Sequence, residues 1–595
     1  MNKNFKDSFL VECAWEVCNQ VGGIYTVIRS KIISQKQQWG DNYLLVGPYL
    51  NNQEFEPIEK EDSAVFRTVE KMRNQGIDIH YGTWLVSGNP KVVLINPYSI
   101  YYKLAEIKFE MWEHFGIDCS QHDDLKDQVI GFGYLLQWFI HDLVQENSEK
   151  KHLAHFHEWM AGMPIPYLRR SNCDIKTVFT THATLLGRYL AMNDANFYDN
   201  LPYADWAKEA KHFNVETQVY IERSAAHGAN VLTTVSDITA EECVYLLGRK
   251  PEFITPNGLN VERYEALHEF QSLHLDAKKS IHNFITGHFF PSYKFDLDKT
   301  LYFFTSGRFE YQNKGYDLTL EALARLNHLM HIYQIDMTVV MFIVTKQPVH
   351  SISVESLHRR AMMDELKKTC HEIELEVENQ LYRASAGNTS DKLPDLNELV
   401  PEHMKLQYRR VMQSTRRQDR PSVVTHDLVH GHSDPVMNFL WNANLMNNSY
   451  DKVKMVYHPD FISSTNPLFH MDYDKFVRGC HLGVFPSYYE PWGYTPVECL
   501  VRGIPSVTSD LSGFGDYVLK NLRDKNKEGL YIVNRKYSNF NEAADQLANQ
   551  MLQFVQLSRR ERIAQRNNVE QLSTEFDWEK LVKYYTAAYV QVLKD

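Results

Sequence analysis

The sequence predicts an α/β protein of two domains with mainly parallel sheets, the second domain carrying a helical insertion. Three observations lead there. Short apolar runs of strand length alternate with helical patterns, and several end in small or polar residues just before a helix. The turn-rich segment Ile254-Thr-Pro-Asn-Gly258 interrupts that alternation, and a second series starts near Leu301. The chain has 595 residues, more than one hydrophobic core serves.

In chain order, Phe9–Ala14, Lys91–Asn96, Thr177–Thr181 and Val231–Ser236 read as buried strands of the first domain (1–260). Leu301–Ser306, Thr338–Thr345, Cys480–Pro486 and Pro505–Ser509 read as strands of the second (261–574). Between Val344 and Val453 the pattern changes. Ser353–Arg383 is rich in Glu, Leu, Lys and Arg at helical spacing, Gly387–Pro394 is a polar break, and Leu396–Arg417 is helical again. This stretch (346–450) is the insertion, and it cannot bury its apolar face alone. Asn541–Gln571 reads as one long helix and Asp577–Leu593 as an amphipathic terminal one.

Composition narrows the function. A net charge of −12 argues against nucleic acid as the main partner, whereas a neutral polysaccharide fits. The eight cysteines form no CxxC pair and read as reduced thiols of a cytoplasmic protein. The N-terminus MNKNFKDSFL lacks the apolar core of a signal peptide, and no run is long enough to span a membrane.

Ligands of parallel α/β sheets sit beyond the carboxyl ends of strands, so the residues just after each apolar run are the candidates. Val21-Gly22-Gly23-Ile-Tyr-Thr26 follows the first strand. Paired glycines let backbone N–H groups approach a phosphate or sugar, although a plain tight turn uses the same pair. Thr180-Thr-His182-Ala-Thr-Leu-Leu-Gly-Arg188 puts an imidazole at a strand end and an arginine within reach of a diphosphate. Upstream, His155-Phe-His157-Glu-Trp is metal-like in composition. With its imidazoles read as facing opposite sides of the strand, structural or sugar-facing roles outweigh zinc.

Gly307-Arg308-Phe-Glu-Tyr-Gln-Asn-Lys314-Gly315 sets two cations in a short Gly-bounded loop, as a leaving diphosphate requires. The most specific segment is Phe485-Pro-Ser-Tyr-Tyr-Glu490-Pro-Trp492-Gly493-Tyr494-Thr495-Pro-Val-Glu498. Here two carboxylates, an aromatic and the free N–H groups of a helix start share one strand-loop-helix unit.

Glu490-x7-Glu498 resembles the paired glutamates of retaining two-domain (GT-B) glycosyltransferases. The wider string from Phe476 through Pro496 resembles the glycogen synthases of animals and fungi, glycosyltransferase family 3. So do Val21–Thr26, His155–Gly162, Thr180–Leu190, Pro256–Asn260, Leu301–Gly315 and the segment after Arg559. The resemblance implies two Rossmann-like domains facing a central cleft, with the C-terminal helix (575–595) returning to the first. It implies retaining transfer of glucose from UDP-glucose to an α-1,4-glucan such as glycogen. By it, His182 positions the glucose and its 6-hydroxyl, while Arg188, Arg308 and Lys314 hold the diphosphate. Phe461 and Tyr473 flank the uracil; Thr495 touches phosphate, Glu498 the ribose and Glu490 the glucose side.

The resemblance also implies a homotetramer built on the insertion, a glycogenin-like primer protein as partner, and glucose-6-phosphate as activator. Arg559, Arg562 and Arg566 fall on one helical face, as do His268, Gln271, His274 and Lys278, and these two faces match the family's sugar-phosphate contacts. Of the family's six basic positions, Arg559, Arg560, Arg562 and Arg566 remain, whereas Asn568 and Gln571 replace the last two. Control by phosphorylated tails is not expected, since the chain starts close to its first strand and ends on a helix. Asp296-Leu-Asp298 and Asp472-Tyr-Asp474 look like the metal motif of one-domain transferases, but Arg308 and Lys314 make a divalent ion redundant, so no metal and no cofactor are expected. The rival readings are an ADP-glucose glucan synthase, a sucrose- or trehalose-type synthase, and a non-catalytic glucan-binding scaffold.

Overall fold

The computed structural model describes residues 5–50, 53–261, 270–386, 392–523 and 527–594. The first domain is built on a nine-stranded sheet. Its strands are β1 (Ser8–Ala14), β2 (Tyr43–Pro48), β3 (Phe55–Pro57), β4 (Ile79–Trp84), β5 (Lys91–Ile95), β6 (Lys151–His157), β7 (Ile175–Thr181), β8 (Val231–Thr234) and β9 (Phe253–Ile254). Their order is β3-β4-β5-β2-β1-β6-β7-β8-β9, parallel except where β4 meets β3 and β5. Every residue of β1 is buried. Helices cover both faces of a parallel sheet, so its central strands are buried along their length rather than alternating.

The second domain carries a six-stranded sheet, all of it parallel, of β10 (Thr300–Arg308), β11 (Thr338–Lys346), β14 (Val453–His458), β15 (Leu482–Phe485), β16 (Ser506–Ser509) and β17 (Leu530–Val533). The order β14-β11-β10-β15-β16-β17 is that of a doubly wound fold, and the winding reverses between β10 and β15. In the first sheet it reverses between β1 and β6. A ligand crevice forms at each reversal, because consecutive helices leave to opposite faces there. Of the motifs selected above, three follow β1, β10 and β15, which flank the two reversals; Thr180–Arg188 follows β7, one strand further out, and His155 and His157 lie within β6.

The insertion consists of helices Val354–Ser385 and Glu402–Thr415, closed at its base by the antiparallel pair β12 (Val349–Ile352) and β13 (His426–Leu428). Leu375, Tyr382, Leu393, Leu396, Leu406 and Tyr408 are exposed there. The single helix expected over Asn541–Gln571 is two, Phe540–Gln556 and Arg559–Ser573. Leu557 and Ser558 take extended dihedrals between them, and Ser558 with Glu561 forms a reciprocal capping box that starts the second.

The C-terminal helix Trp578–Lys594 packs into the first domain, where Trp578, Tyr585 and Tyr589 join the core of Phe5, Trp39 and Leu45. The domains also share cores. Val235 and Leu259 pack with Trp492, Phe514 and Phe576, and Leu186 and Phe197 pack with Tyr488 and Tyr489.

Candidate active site

Gly315 fixes the second-domain side. Its φ is +70°, and a Cβ there would lie 2.2 Å from the Pro486 carbonyl oxygen. Only glycine permits that approach. It brings the loop after β10 against the loop after β15, and Lys314 forms an ion pair with Glu490. Both side chains are about four-fifths buried. Beside them Gly493, at φ +102°, opens the helix Tyr494–Val501, whose first N–H groups receive no side-chain cap. An uncapped helix start next to a lysine favours a phosphate. Ser306, Lys314, Glu490, Gly493 and Thr495 line the same small cavity.

Glu498 stands apart from Glu490. It lines a crevice of about 250 Å³ between the domains, with Tyr473, Arg502, Tyr25 and Arg29. Burial raises its carboxyl above the ordinary range, opposed by Arg502. The Tyr473 hydroxyl meets Ser306 Oγ at 2.6 Å, tying the crevice to the end of β10. Phe461 is 70% exposed beyond β14, with the Lys346 ammonium 5.5 Å from its ring. Arg308 is mostly exposed, 3.5 Å from Glu310. Arg188 is half-buried; burial works against its charge, but Tyr489, Glu158, Glu310 and Glu490 more than offset this.

The first-domain side is dry. Glu12, His155, His157 and His182 are all buried. His155 and His157 share one face of β6, their rings 4.1 Å apart, which corrects the expectation of opposite faces: a strand repeats every two residues. Donor atoms of Glu12, His155 and His157 lie close enough for a metal ion. They are already engaged: His155 by Tyr589 and Thr180, His157 by Glu12 and His182, and Glu12 by the buried Lys31 ammonium, which supplies the positive charge itself. At the Gly22-Gly23 turn, Gly22 N–H and Tyr25 N–H donate to Glu16 Oε2 at 2.7 and 2.9 Å. A Cβ on Gly23 would meet the Tyr494 ring at 3.8 Å, so this turn faces the second domain's helix start.

Sequence reasoning passed over Glu158. It is a non-glycine at φ +64°, and its Oε1 accepts from His182 N–H and Ala183 N–H at 2.8 and 3.1 Å. Burial raises its carboxyl to about 7, although Arg188 and the two N–H groups pull it down. Its left-handed backbone and its raised carboxyl, only half-buried, make it a further candidate for the cleft floor. Its position directly after β6, beside His157, was the available signal. Trp492, by contrast, turns away from the cavity and packs against Phe514 and Tyr517. Tyr494 reaches Gly258 O at 3.5 Å, bridging the domains.

A second cationic cluster lies away from the cleft. Helix Phe270–Phe289 brings His274 and Lys278 to Arg562 and Arg566 of the helix Arg559–Ser573, while Arg559 is exposed. Burial pushes His274 down to about 3, helped by Arg566. Burial likewise lowers Arg566 to about 9. His481, which the sequence did not single out, joins them: its ring is 5.3 Å from that of His274. His268 lies outside the described residues, as does the side chain of Gln271. Asn568 donates to Glu528 O at 2.8 Å, a structural contact.

Comparison with known proteins follows the same geometry. The glycogen synthase family model matches residues 12–595. The chain belongs to the glycogen synthase family. The glycogen [starch] synthase of Neurospora crassa is 42% identical over 591 residues, 98% of this chain and 84% of the relative. The liver glycogen [starch] synthase of Homo sapiens is 42% identical over 586 residues, covering 98% and 83%. Among solved structures, the catalytic domain of Starch Synthase IV from Arabidopsis thaliana, bound to ADP and acarbose, aligns over 99% of both chains with a TM-score of 0.51 at 13% identity, a likeness of fold. As a member of the glycogen synthase family the chain is a glycosyltransferase, and its two facing doubly wound domains are the GT-B arrangement. No helix among its described residues is long and apolar enough to cross a membrane.

Proposed function

We propose that this protein transfers glucose from UDP-glucose to the non-reducing end of an α-1,4-glucan with retention of configuration, as a glycogen synthase. The observation that carries this reading is the convergence of Lys314, Glu490 and the uncapped helix start at Gly493 in one cavity. As the glycosidic bond breaks, negative charge grows on the diphosphate; Lys314, Arg308, Arg188 and the helix N–H groups are placed to oppose it. Positive charge grows on the sugar, and the Glu490 carboxylate stabilises it through either a covalent or an ion-pair route. Glu498 and Tyr473 line the neighbouring crevice, suited to ribose and uracil; Phe461, the second uracil residue, stands exposed beyond β14.

Three further assignments rest on the family. The cluster of His274, Lys278, Arg562 and Arg566 takes glucose-6-phosphate as activator, the cations Lys278, Arg562 and Arg566 favouring its phosphate. The exposed apolar side chains of the insertion join copies into a homotetramer. The protein is cytoplasmic and draws on a glycogenin-like primer for new chains. The test is incorporation of labelled glucose into glycogen from UDP-glucose and from ADP-glucose. Transfer from the UDP donor at ten times or more the rate of the ADP donor supports the reading; preference for the ADP donor, or no transfer from either, removes it.

A further inference from the structure

The His182 imidazole heads a chain of buried hydrogen bonds whose polarity can be worked out atom by atom. Glu12 Oε1 is ion-paired with the Lys31 ammonium and lies 2.8 Å from His157 Nε2, while Glu12 Oε2 accepts from the Tyr43 hydroxyl at 2.6 Å. An ionised carboxylate only accepts. The proton on His157 is therefore on Nε2, and its Nδ1 is a bare acceptor. That Nδ1 lies 2.9 Å from His182 Nε2, which must donate. A neutral imidazole carries one N–H, so His182 Nδ1 is left unprotonated.

The chain's charge states support this polarity. Burial raises Glu12, but Lys31 and His155 outweigh it and hold the carboxyl below its ordinary value. Burial keeps His157 well below its ordinary value, with Lys31 and His182 adding to the effect. It pushes His182 down to about 3, again with help from Lys31. The C-terminal helix seals the network. The Tyr585 ring lies 4.3 Å from the Lys31 ammonium, and the Tyr589 hydroxyl meets His155 Nδ1 at 2.8 Å. His182 Nδ1 itself is buried with no hydrogen-bond partner among the described residues. A buried lone pair left unmatched is costly, and a ligand hydroxyl at the cleft floor offsets that cost.

We propose that Lys31, Glu12 and His157 are positioning residues that lock His182 in a single tautomer, so that the contact to the donor's 6-hydroxyl implied by the family resemblance is made by a bare Nδ1 that can only accept. The assignment of that hydroxyl rests on the glucosyltransfer reading; the tautomer does not. The arrangement makes the site select a sugar that donates a hydrogen bond at this position, and it does so with no charge at the imidazole that would oppose a developing sugar cation.

Two measurements test it. Nitrogen-15 spectra of histidine-labelled, unliganded protein should show His182 with Nε2 protonated and Nδ1 bare; a protonated Nδ1, or a mixture of tautomers, overturns the relay. The second compares UDP-glucose with UDP-6-deoxy-6-fluoroglucose, whose fluorine cannot donate. Wild type should discriminate against the fluoro donor by ~100-fold in kcat/KM. His157→Gln, whose amide donates to Glu12 and accepts from His182, should retain that ratio. His157→Phe, which breaks the chain, should bring the ratio to within about threefold of unity while UDP affinity stays unchanged. A purely structural role would slow both donors equally, and an unchanged ratio in folded His157→Phe overturns the proposal. Should His157→Phe not fold, the wild-type tautomer and the wild-type ratio still decide. Absence of transfer from UDP-glucose would instead fault the glucosyltransfer reading, with the nitrogen spectra still deciding the tautomer.

Discussion

The two walls of the cleft solve opposite problems. The first-domain floor is dry and pre-set: Glu12 and Lys31 are wholly buried, and His157 and His182 are linked into a fixed chain. The second-domain edge is wetter and self-paired: Arg308 is about two-thirds exposed beside Glu310, and Lys314 rests on Glu490. On the proposed function, the difference follows from what each wall is to meet. A neutral hydroxyl gains little from charge and much from fixed geometry, so its partner is locked by burial. A diphosphate brings its own charge, so cations wait paired or hydrated and exchange those partners for phosphate.

The largest effect should come where the walls meet. Glu490→Gln keeps the shape, frees Lys314 and removes the carboxylate from the sugar; turnover should fall roughly a thousandfold while UDP affinity holds or rises. Steady-state kinetics with UDP calorimetry check this, and a parallel loss of UDP affinity with turnover intact would place Glu490 on the nucleotide instead. Next, Lys314→Ala should cost about 3 kcal/mol of barrier, a hundredfold in kcat/KM, and Arg308→Ala somewhat less because water screens it. Equal, near-normal rates in both would erase the charge-opposing role of the second wall.

A third measurement probes the dry wall through pH. Glu222 accepts from Thr181 Oγ1 at 3.0 Å and Leu185 N–H at 3.2 Å. Burial, then the nearby Glu158 charge, raises it to about 8. A carboxyl raised on folding favours the folded state below its ordinary value near 4.5, and that contribution is lost as pH climbs toward 8. The slope is up to about 1.4 kcal/mol per pH unit over that window. Glu222→Gln keeps an acceptor for Leu185 N–H and turns its NH2 to Thr181 Oγ1, whose own proton can go to Ala183 O, and should flatten the fall in denaturation midpoint between pH 5 and 8. An unaltered pH profile would mean that Glu222 is not protonated in the fold.

The smallest effect concerns the distant cluster. Arg562→Ala with Arg566→Ala should abolish a glucose-6-phosphate activation worth ~1.4 kcal/mol, tenfold, and leave basal turnover within about twofold. Arg566 Nε donates to Gly503 O at 3.3 Å, so the midpoint of thermal unfolding is followed alongside. Activation that survives in the double variant would move the effector elsewhere.

Much of this was legible in the chain. β1, β10 and β15 are mostly apolar runs because both faces of a parallel sheet are covered, and each is followed by Gly or Pro at the turn that holds the candidate site residues. The Ser558-Arg-Arg-Glu561 capping box was equally legible and was overlooked, so one helix was read where two exist. Glu158 carried a weaker signal, since its positive φ is a property of the folded backbone that no residue type announces.

By itself the sequence determined the α/β class and the segments bearing Lys314, Glu490 and His182, because strand burial, turn chemistry and helix starts are local. Only the tertiary structure decided that Trp492 belongs to the core, that Lys31 sits on Glu12, and that Tyr589 closes over His155 from 434 residues away. Burial and hydrogen-bond polarity depend on which distant groups arrive at the same place, and no local pattern encodes that meeting.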